Sequence, residues 1–246
     1  MRLLVSVSGA ADAAAALEGG ADILDAKDAT QGALGAVAPA TLDAIIAAAG
    51  GRRPVSAAFG EAPDSSVPIR VAALRPGEVS FVKLGFAEGI SRHQGLTHAH
   101  LLAAALAGTG TAMVLAAYAD AGPDRPDRDA VLEIAVACGA AGVLLDTLDK
   151  RGGRPLFALA RPEDVAEWVA AAHRERLFAA LAGSIGADEI ALAGDTGADI
   201  AGVRGAACDG GRTGHVSPMR VRALAAEVRR ATGAPAPAPA GRATVR

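Results

Sequence analysis

Residues 13–27 read Ala-Ala-Ala-Ala-Leu-Glu-Gly-Gly-Ala-Asp-Ile-Leu-Asp-Ala-Lys. An alanine-rich stretch with helical preference runs into a double glycine. A short apolar segment follows and stops at a lysine. Glycine just past a helix is the usual left-handed cap, and β-branched and leucine residues behind it suit a buried strand. The same punctuation returns as Gly-Ala-Ala-Gly at 139–142 and Thr-Gly-Ala-Asp at 196–199, each ahead of another apolar run. Working outward from these points, the pattern predicts strands over residues 3–7, 23–27, 54–59, 79–84, 112–118, 142–147, 177–182 and 200–204. Helical patterns lie between them, at 10–18, 38–49, 95–107, 128–138, 162–174, 187–193 and 218–231. Residues 61–76 give no clear helix. Strands alternating with helices imply a parallel sheet, and eight such units in this length fit one (β/α)8 barrel over residues 1–232, with a doubly wound sheet as the alternative. Residues 233–246, containing Ala-Pro repeats, cannot build a core and are expected to form a disordered tail.

Composition narrows the function. The 246 residues are 51% hydrophobic but only 3% aromatic, with net charge −3. The near-neutral charge balance argues against a nucleic-acid binder, and no uniformly apolar run is long enough for a membrane span. Two cysteines, Cys138 and Cys208, cannot form a disulfide framework and suit a reducing cytoplasm. Lysine occurs only at Lys27, Lys83 and Lys150, against 21 arginines. In a chain that uses arginine wherever either base will do, a retained lysine marks chemistry a guanidinium cannot perform: losing a proton and attacking a carbonyl.

All three lysines fall at the C-terminal rim of the predicted strands, where barrel active sites lie. Asp25 and Lys27 are two apart and share a face; Asp146 ends the sixth strand, four residues before Lys150. A purely structural Asp25–Lys27 ion pair is one reading. The other is an amine that forms a Schiff base, its pKa lowered by burial and by Lys83 or Lys150 nearby. Gly183 and Ser184 follow the seventh strand, and Arg204 and Gly205 end the eighth. Loops at those two places commonly bind phosphate through backbone N–H groups, and Arg204 could add a bidentate clamp. Ordinary tight turns are the plainer reading. His98 and His100 fall on different faces of a helix, so no metal site is expected. Cys208 has no histidine neighbour in sequence to activate it. Asp120 either faces the site or caps the next helix.

Taken together, several motifs resemble the (5-formylfuran-3-yl)methyl phosphate synthases. They are residues 4–6 Leu-Val-Ser, 20–28 Gly-Ala-Asp-Ile-Leu-Asp-Ala-Lys-Asp, 32–36 Gly-Ala-Leu-Gly-Ala, 54–57 Pro-Val-Ser-Ala, 82–85 Val-Lys-Leu-Gly, 118–120 Tyr-Ala-Asp, 145–147 Leu-Asp-Thr with Lys150, 181–185 Leu-Ala-Gly-Ser-Ile and 202–208 Gly-Val-Arg-Gly-Ala-Ala-Cys. The resemblance covers nearly the whole chain except the tail. It departs at Ala29-Thr30, Ala33, Glu61 and the Pro-rich loop 122–127. It implies a barrel similar to class I aldolases that condenses two molecules of glyceraldehyde 3-phosphate to a furan aldehyde phosphate, with loss of phosphate and water, for methanofuran- or methylofuran-type carriers. It further implies Lys27 as Schiff-base lysine, Lys83 as proton acceptor, and Asp25, Asp146 and Lys150 as supporting charges. No metal or redox cofactor is expected, and the partner is a small phosphorylated substrate; homo-oligomerisation is left open. Another lysine-dependent aldolase, or a non-catalytic sugar-phosphate-binding barrel, are the competing readings.

Overall fold

The computed structural model describes residues 1–150, 152 and 154–233; the predicted tail beyond Gly233 lies outside them. Eight strands, β1 (Arg2–Val7), β2 (Ile23–Ala26), β3 (Val55–Ala62), β4 (Phe81–Phe86), β5 (Ala112–Tyr118), β6 (Gly142–Asp146), β7 (Phe178–Leu181) and β8 (Ile200–Val203), pair in parallel in sequence order. β8 pairs with β1, so the sheet closes and the doubly wound alternative is excluded. Helices α1 (Ala10–Gly19), α2 (Pro39–Ala49), α3 (Val67–Ala72), α4 (Arg92–Leu106), α5 (Arg128–Ala137), α6 (Pro162–Arg174), α7 (Ala187–Asp195) and α8 (Pro218–Ala231) alternate with them. Among the described residues no helix is long and apolar enough to cross a membrane.

The glycine punctuation works as expected. Gly20 ends α1 in the left-handed region (φ 91°), and its N–H caps the carbonyls of Ala16 and Leu17. Elsewhere the boundaries moved. α4 begins at Arg92 rather than residue 95, because Ser91 and Gln94 form a reciprocal cap. β3 continues to Ala62 past a register shift between Ala58 and Glu61. The unreadable stretch at 61–76 holds the six-residue α3. After β8, a two-stranded hairpin of β9 (Cys208–Asp209) and β10 (His215–Val216) had no counterpart in the sequence reading.

Strand residues alternate between two apolar layers. Leu3, Val5, Leu24, Ala26, Val82, Leu84 and Leu145 belong to the large core between sheet and helices. Leu4, Ile23, Ala58, Val114, Ala116, Leu144, Ala180 and Ile200 fill the barrel interior. Most interior residues above the lowest layer are small, so the interior keeps a cavity of about 190 Å³ that runs down from the mouth. Its floor is an edge-to-face pair, Phe81 and Phe178, with ring centroids 5.4 Å apart. Phe178 lies where a Cβ on Gly142 would come within 2.5 Å of its ring, so glycine at 142 makes room for the plug.

Candidate active site

Parity along each strand decides which side chains enter the cavity. Ile23 points inward, so Asp25 and Lys27 do too; Phe81 brings Lys83, and Leu144 brings Asp146. Register aligns Ser6 with Asp25 and Asp25 with Ser56, making one layer from β1, β2 and β3. In that layer Ser6 and Ser56 donate hydrogen bonds to the two Asp25 carboxylate oxygens at 2.9 and 2.6 Å. Lys83 reaches over from β4 and places its Nζ 2.6 Å from Asp25 Oδ2.

The second cluster forms around Asp146. Lys150 donates to Asp146 Oδ1 at 2.5 Å and to Thr147 Oγ1 at 3.0 Å, and the Thr147 N–H donates to the same carboxylate oxygen. Lys27 Nζ lies 3.7 Å from Asp146 Oδ2, an atom that is buried and without a hydrogen-bond partner among the described residues. The Asp25–Lys83 and Asp146–Lys27 pairs therefore cross between strands, while Lys150 meets Asp146 from the loop after the same strand. The structural pairing of Asp25 with Lys27 along one strand does not form. Lys27 and Lys83 are each 6% exposed and the two aspartates 1% or less.

Burial dominates the titration of Lys27. Removal from water pushes its pKa down, the Asp146 and Asp25 charges oppose this, and the neighbouring Lys83 and Lys150 ammoniums add to it, leaving it at about 8. Burial alone would raise the Asp146 carboxyl, but the Lys150 and Lys27 charges and the hydrogen bonds from Lys150 and Thr147 outweigh it and hold it down to about 2. The site thus combines a buried amine close to neutrality with a carboxylate that stays ionised.

The predicted phosphate loops line the same cavity: Gly183, Ser184, Arg204 and Gly205 all reach it. Ser184 sits in the left-handed region at φ 54°. Arg204, however, is turned into the scaffold. Its Nη1 donates to Ser6 O and Asp12 Oδ2, its Nη2 to Gly214 O and Ser8 Oγ, and its Nε to Arg212 O. A guanidinium has five N–H donors, and with all of them so placed Arg204 offers no fork to a ligand. Sequence reasoning also missed Arg212, which lines the cavity from the hairpin; only the hairpin brings it there. Asp120 neither faces the site nor caps a helix. Its two carboxylate oxygens accept the N–H groups of Leu148 and Asp149 at 2.6 and 2.9 Å, gripping the loop that carries Lys150. Among the described residues no group of three or more His, Cys, Asp and Glu side chains gathers at metal-ligand spacing.

The family profile described as 4-HFC-P synthase matches residues 3–225. The chain belongs to that family. Relatives in the 4-HFC-P synthase family include the (5-formylfuran-3-yl)methyl phosphate synthase of Methanopyrus kandleri, 36% identical over 91% of this chain and 97% of its own. Another is the protein of the same name from Methanococcus maripaludis, 36% identical over 86% of this chain and 91% of its own. Solved barrels resemble the fold at lower identity. They include 3-hexulose-6-phosphate synthase from Salmonella typhimurium (16% identity, TM-score 0.64, 94% of this chain and 100% of that one) and phosphoribosyl anthranilate isomerase from Thermus thermophilus (18%, 0.63, 94% and 99%).

Proposed function

We propose that this member of the 4-HFC-P synthase family is a lyase that joins two molecules of glyceraldehyde 3-phosphate into (5-formylfuran-3-yl)methyl phosphate, one phosphate and two waters, through an imine on Lys27. The names of the relatives give the product; its furan aldehyde phosphate suits a precursor of methanofuran-type cofactors. The observation that carries this reading is the buried Lys27 amine with its pKa at about 8, facing the unpartnered Asp146 oxygen in the cavity that also holds the Lys83–Asp25 pair.

The proposed steps use that geometry. Neutral Lys27 adds to the aldehyde carbon of one triose phosphate. The ionised Asp146 Oδ2, facing the amine, steadies the cationic nitrogen that the attack creates, and the proton shed by that nitrogen passes to the carbinol oxygen. Loss of water leaves an iminium, which acidifies the adjacent C–H. The Lys83–Asp25 pair removes that proton: Lys83 must hand its own proton to Asp25 before it can accept another, and the 2.6 Å contact permits this. The resulting electron pair expels phosphate from the next carbon, breaking its C–O bond. The enol that remains on Lys27 is nucleophilic at its terminal carbon and attacks the second triose phosphate. The substitution pattern of the furan puts this bond on the middle carbon of that triose, so it reacts in its keto form, reached by the same kind of proton removal. Ring closure and two dehydrations give the furan, and water returns Lys27 to the free amine.

Incubation with glyceraldehyde 3-phosphate, with phosphate release and product mass followed, tests the reaction. The wild type is expected to give the furan aldehyde phosphate and Lys27→Arg none, and borohydride reduction should fix the adduct on Lys27. Appreciable product from Lys27→Arg would rule out this nucleophile. A folded wild type that traps aldehyde on Lys27 but makes no furan would point instead to another aldolase.

A further inference from the structure

Two arginines reach this cavity, and their donors are arranged differently. Arg204, 8% exposed, is saturated by protein acceptors. Two of those acceptors, the carbonyls of Arg212 and Gly214, lie in the loop between β9 and β10, so Arg204 holds that hairpin in place. Asp12 secures it from the other side, accepting from the Val216 N–H and from Arg204. The tip of the hairpin carries Arg212 across the mouth, where Nε donates to Ala29 O at 3.3 Å and Nη2 to Gly32 O at 2.8 Å. These bonds pin the guanidinium to the loop after β2, close to Lys27, while Nη1 has no partner among the described residues. A pinned, partly desolvated guanidinium with unused donors is pre-organised for an oxyanion, because its side-chain entropy is already lost.

The neighbouring loop, after β7, has further unused donors. The N–H groups of Ser184 and Ile185 point to no acceptor among the described residues, and both residues line the cavity. Gly205, just past β8, lets its backbone rest against Arg212: a Cβ there would lie 3.6 Å from Arg212 N. Burial lowers the Arg212 pKa, with the Arg204 charge adding to it and the Asp146 charge opposing; the guanidinium stays charged, in surroundings poor in water where a charge-assisted bond is strong.

We propose that Arg212 is a substrate-binding residue that clamps a phosphate monoester dianion between its free guanidinium edge and the Ser184 and Ile185 N–H groups. This rests on the reading of the chain as acting on phosphorylated trioses, but it can be tested apart from turnover. Inorganic phosphate is the probe. Calorimetric titration of the wild type should give saturable binding, weakened at least about tenfold in Arg212→Gln and less in Arg212→Lys, which keeps the charge but not the fork. Borohydride trapping of unphosphorylated glyceraldehyde on Lys27 should be unchanged in Arg212→Gln, whereas KM for glyceraldehyde 3-phosphate should rise by a similar factor. Phosphate affinity equal in wild type and Arg212→Gln, or no phosphate binding by the wild type, would overturn the clamp. So would an equal loss of glyceraldehyde trapping, which would mean that Arg212 only supports the fold. Absence of furan product from a wild type that still binds phosphate through Arg212 would instead sink the synthase reading and leave the clamp standing.

Discussion

At the scale of single residues the proposed chemistry turns on the protonation of Lys27. Only the neutral amine attacks, so with its pKa at about 8 the rate of imine formation should climb about tenfold per pH unit below that value and level off above it. Borohydride trapping after short mixing, across roughly pH 6 to 9, measures it; a flat profile would contradict the burial argument. Asp146 is the strongest influence that raises the Lys27 pKa. Asp146→Asn should therefore move the midpoint of the profile to lower pH while activity falls, because Lys150 also loses its anionic partner. The same carboxylate, lowered to about 2 from 3.8, contributes to stability above its unfolded pKa, and the contribution is lost as pH falls from near 4 toward 2. Acid titration of unfolding should show wild type losing stability there, by about 2 kcal/mol more than Asp146→Asn. The lysines themselves were legible in the sequence because arginine had replaced lysine everywhere else. Their partners were not: strand parity says that Asp25 and Lys27 face inward, but only the register between strands says that Asp25 meets Lys83.

At the scale of elements, short loops set the geometry of charged groups they do not touch. Asp120, two residues past β5, holds consecutive N–H groups of the loop after β6. Asp120→Ala should loosen Lys150 and lower kcat more than it changes KM, with Asp120→Asn, which keeps one acceptor oxygen, recovering part of the loss. Equal activity in both variants would remove Asp120 from the argument. Gly183 makes a closer contact. It lies at φ 103°, and a Cβ there would come 2.7 Å from Thr147 Cγ2, beside the hydroxyl that receives Lys150. Gly183→Ala should cost about 1–3 kcal/mol in chemical denaturation and reduce turnover together with it. The strand and helix order could be read from glycine caps and apolar periods because those signals are local. The start of α4 was also local, written as Ser91 and Gln94, and was overlooked. The hairpin after β8 was beyond reach, since its two-residue strands carry no period and it is fixed by Asp12 and Arg204, far apart in the chain.

At the scale of the whole molecule, the buried Arg204–Asp12 pair joins the end of β8, the start of α1 and the hairpin at the seam where the last strand meets the first. Burial pushes the Asp12 carboxyl up, yet the hydrogen bonds from Arg204, Val216 and Ser8 bring it below the usual range. Arg204→Ala strands a buried carboxylate, so a loss of about 3–5 kcal/mol is expected, larger than for surface arginines, with urea unfolding as the measurement. A loss under about 1 kcal/mol would mean that the seam closes without it. At the other end of the barrel, Phe81 and Phe178 leave the chamber with a floor. A vessel with one door imposes an order of traffic. In the proposed reaction the phosphate expelled from the first triose would depart through the same opening by which the second triose arrives, so departure and arrival would compete for one passage. Accumulated phosphate would then slow the reaction as an obstruction in the doorway, well before the chemistry itself came near equilibrium.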